Sequence, residues 1–164
     1  MAATKKAKSV PDPLESLAWI RVKAVREACP ESLQGFGRVN CPDQIRRAAE
    51  ILIGDEPREV FLVFLLDTSN GLQGYHIVSQ GTLNSSLVHP REVFQPAILA
   101  NAASIIVVHN HPSGDPTPSQ ADRDVTKRLV QAGNLLGIPL LDHLVVTHTG
   151  AHRSMRDCVS WSGM

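Results

Sequence analysis

Apolar and polar positions fall into short blocks whose period changes along the chain. Residues 19–25 alternate (Trp-Ile-Arg-Val-Lys-Ala-Val), which predicts a half-buried strand with Arg21 and Lys23 facing water. From Cys41 the period lengthens. Ile45, Ala48, Ala49 and Leu52 recur at three- and four-residue spacing, which predicts a helix opened by Pro42 and Asp43 and stopped at Gly54. Residues 60–66 are continuously apolar, so a strand there must be covered on both faces and central in a sheet. Asn70-Gly71 is a hairpin signal that returns the chain along a partner strand over 72–79.

A second helix is predicted from Pro90, with Val93, Ile98 and Leu99 apolar and Pro96 kinking it. Residues 104–108 predict another buried strand. After a Pro/Gly-rich loop over 111–118, a helix begins at Ser119; Val125, Leu129, Ala132 and Leu136 form its stripe, and Gly137 and Pro139 end it. Residues 140–147 predict a last clear strand, and the pattern weakens past Gly150. Strands alternating with helices, plus one hairpin, imply an α/β domain with a mixed sheet over residues 17–160. Residues 1–16, rich in lysine, proline and small residues, are expected to form a flexible tail.

Composition narrows the picture. The 164 residues are 43% apolar and 20% charged, ordinary globular values that exclude wholesale disorder. Sixteen basic residues balance sixteen acidic ones, so the excess positive charge of a nucleic-acid binder is missing. Cys29, Cys41 and Cys158 have no paired spacing, which argues against a disulfide framework and fits the cytoplasm. No run reaches the roughly 20 apolar residues a membrane helix needs. A membrane partner is therefore not expected.

The chemistry concentrates in Val-Val-His-Asn-His-Pro-Ser-Gly-Asp-Pro-Thr-Pro-Ser-Gln-Ala-Asp, residues 107–122. His109 and His111 lie just past a buried strand, and if the backbone stays extended both project to one side. Asp122 falls in the first turn of the next helix. Two imidazoles and one carboxylate suit Zn2+ and leave a fourth tetrahedral position open, the pattern of a catalytic site. Ser119 and Asp122 also spell an S-x-x-D helix opening, and capping alone would explain that pair. His109 alone would read as an ordinary strand-end histidine. Their co-occurrence favours the metal site.

These residues carry a resemblance. His109-Asn-His111-Pro-Ser-Gly114, Ser119 and Asp122 resemble the JAMM metalloprotease motif of MPN (JAB) domains. The flanks over 81–94, 97–103 and 137–143 resemble its RadC branch, and the likeness covers roughly residues 17 to 150. It implies a cytidine-deaminase-like fold of three layers, α-β-α, around a mixed sheet. It implies zinc on His109, His111 and Asp122, Ser119 near the oxyanion, and a glutamate on an earlier element that activates water. Placed residue by residue, that glutamate is Glu59. A solvated charge beside Arg58 is the plainer account of it. Glu92, also followed by Val-Phe, is assigned to the first turn of its helix.

His143 is expected to support the site or the core rather than ligate, and His148 and His152 to lie on the surface. Asp115 and Asp124 read as a loop charge and a helix-surface charge, and none of the three cysteines has the surroundings of a nucleophile.

The function this implies is a zinc-dependent metallohydrolase of JAMM type acting on a peptide or isopeptide bond in a protein substrate. Two alternatives are a DNA-repair-associated role and a metal-binding interaction module with little turnover. Balanced charge, few aromatics and little room for the helix-hairpin-helix segment of longer relatives count against the first. The string His109-Asn110-His111 is not an HNH nuclease, whose residues are spread over a ββα unit. A zinc deaminase needs H-x-E and P-C-x-x-C, and the chain has neither.

Overall fold

The apolar run becomes β1 (Val60–Leu66), with all seven residues buried. Its hairpin partner β2 (Leu72–Gln80) follows a five-residue turn in which Asn70 takes a left-handed φ of 59°. Asp67 holds that turn, its Oδ1 accepting from the backbone N–H groups of Ser69 and Gly71. β3 (Ser104–Asn110) lies on the other side of β1, then β4 (Leu140–Val146) and β5 (His152–Ser154), so the sheet order is β2-β1-β3-β4-β5. Only β3 and β4 run parallel; the other three pairings are antiparallel. This computed structural model describes residues 21–157 apart from positions 24, 26, 29, 34–36, 40 and 82–87.

Among the described residues three α-helices cover the sheet: α1 (Pro42–Ile53), α2 (Pro90–Leu99) and α3 (Gln120–Leu136). The pleat of the central strands decides which residues meet which helix. Phe61, Val63 and Leu65 of β1, with Ile105 and Val107 of β3, pack against Val93, Phe94 and Ala97 of α2 and Val125 and Leu129 of α3. Leu62, Phe64 and Leu66, with Ile106 and Val108, pack against Ile45, Ala48, Ala49 and Ile53 of α1. The result is the α-β-α sandwich around a mixed sheet that the resemblance implies. Parallel strands require a long crossover, and α3 supplies it between β3 and β4.

Two details differ from the sequence pattern. Among residues 19–25 the described positions 21–23 and 25 form no strand, and Val22 and Val25 are 60% and 85% exposed. An alternating pattern makes a strand only where a sheet edge and an apolar face receive it. The three-residue β5 carries too short a pattern to be read without its partner β4. Helix α2 runs through Pro96 to Leu99. The expected tail over 1–16, the limits at 17 and 160, and the stretch 82–87 lie outside the described residues. Among the described residues no helix is long and apolar enough to cross a membrane.

Candidate metal centre

His109 ends the inward row of β3 after Ile105 and Val107, on the face shared with α2 and α3. The His111 N–H donates to the Val146 carbonyl at 2.8 Å, which keeps the backbone extended one step past β3. The two imidazoles therefore emerge on one side, their Nε2 atoms 3.0 Å apart. The loop then turns back at Gly114, whose φ of +83° is left-handed and where a Cβ would press on the His148 ring at 3.2 Å. That return seats Ser119 as N-cap of α3 and Asp122 as its third residue. Asp122 Oδ1 lies 3.4 Å from His109 Nε2, and Oδ2 lies 3.7 Å from His111 Nε2. His109, His111 and Asp122 are thus one cluster able to hold a metal ion.

The donor set fits a divalent cation by a tautomer argument. His111 Nδ1 sits 2.8 Å from the Asp115 carbonyl oxygen, which can only accept, so Nδ1 carries hydrogen. His109 is fixed by a longer chain. Thr126 Oγ1 donates to the Asp122 carbonyl at 2.6 Å, so it must accept from His143 Nδ1 at 2.7 Å. His143 Nε2 then accepts from His109 Nδ1 at 2.8 Å. In both neutral rings the Nε2 lone pair is left facing the other and the Asp122 carboxylate. Three electron-rich atoms converging this closely call for a cation among them. The nitrogens are 3.0 Å apart and each has one carboxylate oxygen at 3.4 or 3.7 Å, near the edge of about 3.3 Å that bonds of about 2.0–2.1 Å give in a tetrahedron.

Electrostatics support a neutral donor at His109 and treat His111 differently. Burial lowers the pKa of His109 to about 4, and Asp122 only partly offsets this, so the ring is a neutral donor at pH 7. Burial also holds His143 well below the ordinary range. His111 is raised, first by its hydrogen bond with Asp122, so without a metal a proton on His111 Nε2 competes for the place a cation would take. For Asp122, burial pushes upward, but the bond with His111, the charge of His109 and two donors from Ser119 outweigh it and hold the carboxyl well below its usual value. The Ser119 donors are its backbone N–H at 2.7 Å and its Oγ at 2.6 Å, both to Oδ2. The capping account of Ser119 and Asp122 and the cluster account therefore describe one geometry, because the cap aims the carboxylate.

A cleft of about 200 Å³ opens over the cluster, lined by Glu59, His111, Ser119, Asp122 and Phe61 among others. Glu59 immediately precedes β1. The antiparallel register pairs Phe61 with His109, and two residues outward Glu59 comes level with His111. Its charge is felt there, raising the His111 pKa. Phe61 stacks on the His109 ring at 6.0 Å between centroids. A larger apolar groove lined by Phe94, Ile98, Leu99 and Leu136 has Arg91 as its one charged group and offers no acid–base chemistry.

The remaining sequence expectations sort cleanly. Glu92 is exposed in the first turn of α2, and His148 and His152 are exposed. Asp115 caps the backbone of Thr117 in the loop, and Asp124 accepts from Gln120 on the surface of α3. His143, anticipated as support, touches His109. Sequence reasoning missed Thr126 and Asn110. Neither carried a signal in the sequence, where Asn110 falls just past the strand predicted over 104–108.

A layered α/β domain has an imidazole pair at the carboxyl end of its central strand, met by a carboxylate from the crossover helix, and that cluster could hold a cation. Residues 39–160 match the family model of the RadC-like JAB domain, and the chain belongs to that family. It is similar to a UPF0758 protein of Geobacter sulfurreducens, 41% identical over 143 residues, which are 87% of this chain and 59% of that protein. A UPF0758 protein of Desulforamulus reducens is 50% identical over 108 residues, 66% of this chain and 48% of the other. One of Methanosarcina acetivorans is 50% identical over 103 residues, 63% and 44% of the two chains. The chain spans about half the length of these curated relatives.

Proposed function

We propose that the chain is a zinc-dependent hydrolase of JAMM type that cleaves a peptide or isopeptide bond of a protein substrate in the cytoplasm. The observation that carries this reading is the meeting of His109, His111 and Asp122 at the floor of a cleft that Glu59 and Ser119 also line. His109, His111 and Asp122 would hold the ion. Zinc in such a three-ligand site supplies Lewis acidity and brings the pKa of water at its open position down to about 7.

The residues of the chain divide the remaining work. Glu59 accepts a proton from the attacking water and delivers it to the departing amine. Ser119 Oγ, at the cleft wall, would turn its single hydrogen from Asp122 Oδ2 to the substrate carbonyl oxygen as negative charge develops there. His143 and Thr126 hold the His109 ring in the tautomer that leaves Nε2 open. Phe61 packs on that ring.

The test uses purified protein and a library of peptides and isopeptide-linked conjugates. Wild type is expected to carry zinc by elemental analysis and to cleave. His109→Ala loses the metal, and Glu59→Gln retains it while turnover falls about 100-fold or more. Protein that refuses zinc in titration ends the reading. Retained zinc with no cleavage of any amide favours the metal-binding module instead.

A further inference from the structure

Between the two histidines, Asn110 points the opposite way. It is 1% exposed and lies on the α1 side of the sheet, away from the cluster. Its amide bonds three backbone groups of a segment fifty residues earlier. Oδ1 accepts from the Val60 N–H at 2.7 Å, and Nδ2 donates to the carbonyls of Glu56 at 3.0 Å and Arg58 at 3.1 Å. The last contact flanks Glu59 on one side and the first flanks it on the other. The Glu59 carbonyl itself accepts from the Gly81 N–H at 2.9 Å.

We propose that Asn110 is a positioning residue that fixes Glu59 over the metal cluster. It does so by clasping the backbone on both sides of Glu59 to the strand that carries His109 and His111. This rests on the role given to Glu59 above. The clasp ties the two halves of the site by one rigid side chain. The histidines leave β3 on one face while the residue between them reaches from the other face to the start of β1. Only a primary amide satisfies one donor and two acceptors at that spot. A carboxylate would keep the bond to Val60 but turn its other oxygen toward two carbonyls. Alanine would leave three backbone groups without their partner, each costly when buried.

The test compares wild type with Asn110→Asp and Asn110→Ala. One readout needs no turnover: the side-chain carboxyl 13C resonance of Glu59, followed as Zn2+ is added. It is expected to shift in wild type and to lose most of that response in both variants. Co2+ affinity is expected to stay within about threefold, since the three ligands are untouched. Where peptide cleavage is measurable, kcat falls about tenfold or more with KM little changed, and the same substitution adds almost nothing in a Glu59→Gln background. An unchanged Glu59 response in either variant overturns the proposal, as does a wild-type resonance blind to zinc. Loss of Co2+ binding in both variants also overturns it, by making Asn110 a general support of the strand end. A wild type that binds zinc and cleaves nothing would fail the hydrolase reading alone, leaving the resonance arm intact.

Discussion

A ring nitrogen that must stay unprotonated is governed here by a threonine hydroxyl two hydrogen bonds removed from the ring it serves. Thr126 Oγ1 is committed to the Asp122 carbonyl, so its acceptor capacity orients His143, and His143 orients His109. Thr126→Val keeps shape and burial but removes the acceptor, leaving the His143 Nδ1–H without its partner. Zinc affinity is expected to fall about 10- to 100-fold, read by competition with a chromogenic chelator, while far-ultraviolet circular dichroism is unchanged. An unaltered affinity would mean that burial alone fixes the tautomer.

At the scale of elements, α3 is both crossover and ligand carrier, and its two ends have separate requirements. Its first turn depends on Ser119, whose Oγ accepts from the Asp122 N–H at 3.2 Å. Ser119→Ala is expected to cost about 1 kcal/mol in urea unfolding, the ordinary worth of a cap. Its last turns depend on close approach. A Cβ at Gly133 would lie 2.6 Å from the Ile138 carbonyl oxygen, 3.2 Å from Phe94 Cζ and 3.3 Å from the Leu140 N. Alanine normally gains about 1 kcal/mol over glycine inside a helix. Here the clash with backbone should outweigh that gain, and Gly133→Ala is expected to lower the urea midpoint.

The elements that could be read in advance are those whose pattern is long and self-sufficient. The seven buried residues of β1 and the capped stripe of α3 need no partner to be recognised. Residues 19–25 and β5 show the converse. Alternation did not make a strand at the described positions 21–23 and 25, and three residues that do form one were too few to signal it. The histidine pair and Asp122 were legible because spacing and strand end together imply a meeting point. Asn110 was not, since its partners are carbonyls and an N–H that every residue has, brought near by the β1–β3 pairing alone.

For the whole molecule, burying imidazoles makes stability depend on pH, with a sign that can be worked out. Between pH 6.5 and 4 the unfolded chain protonates His109 while the folded one, with a value of about 4, does not. Stability therefore falls as pH drops through this window. His143, lowered in the same way, adds to the fall. His111, raised, works oppositely: its contribution is full below pH 6.5 and fades as pH rises through its elevated value. Asp122, lowered, contributes above the ordinary carboxylate range and loses that only in stronger acid. Metal-free protein should thus lose about 2 kcal/mol through His109 alone between pH 7 and pH 5 in urea unfolding. Saturating zinc should add about 2.7 kcal/mol at a hundredfold excess over Kd, and a thermal midpoint indifferent to zinc would contradict it.

The alternation that sends His109 one way and Asn110 the other sets limits on how such a gene can drift. Losing or gaining a single codon within residues 104–108 would trade places between the two faces, turning the amide into the cleft and the imidazole toward α1. Viable descendants must therefore keep the length of this strand while remaining free to exchange one aliphatic residue for another along it.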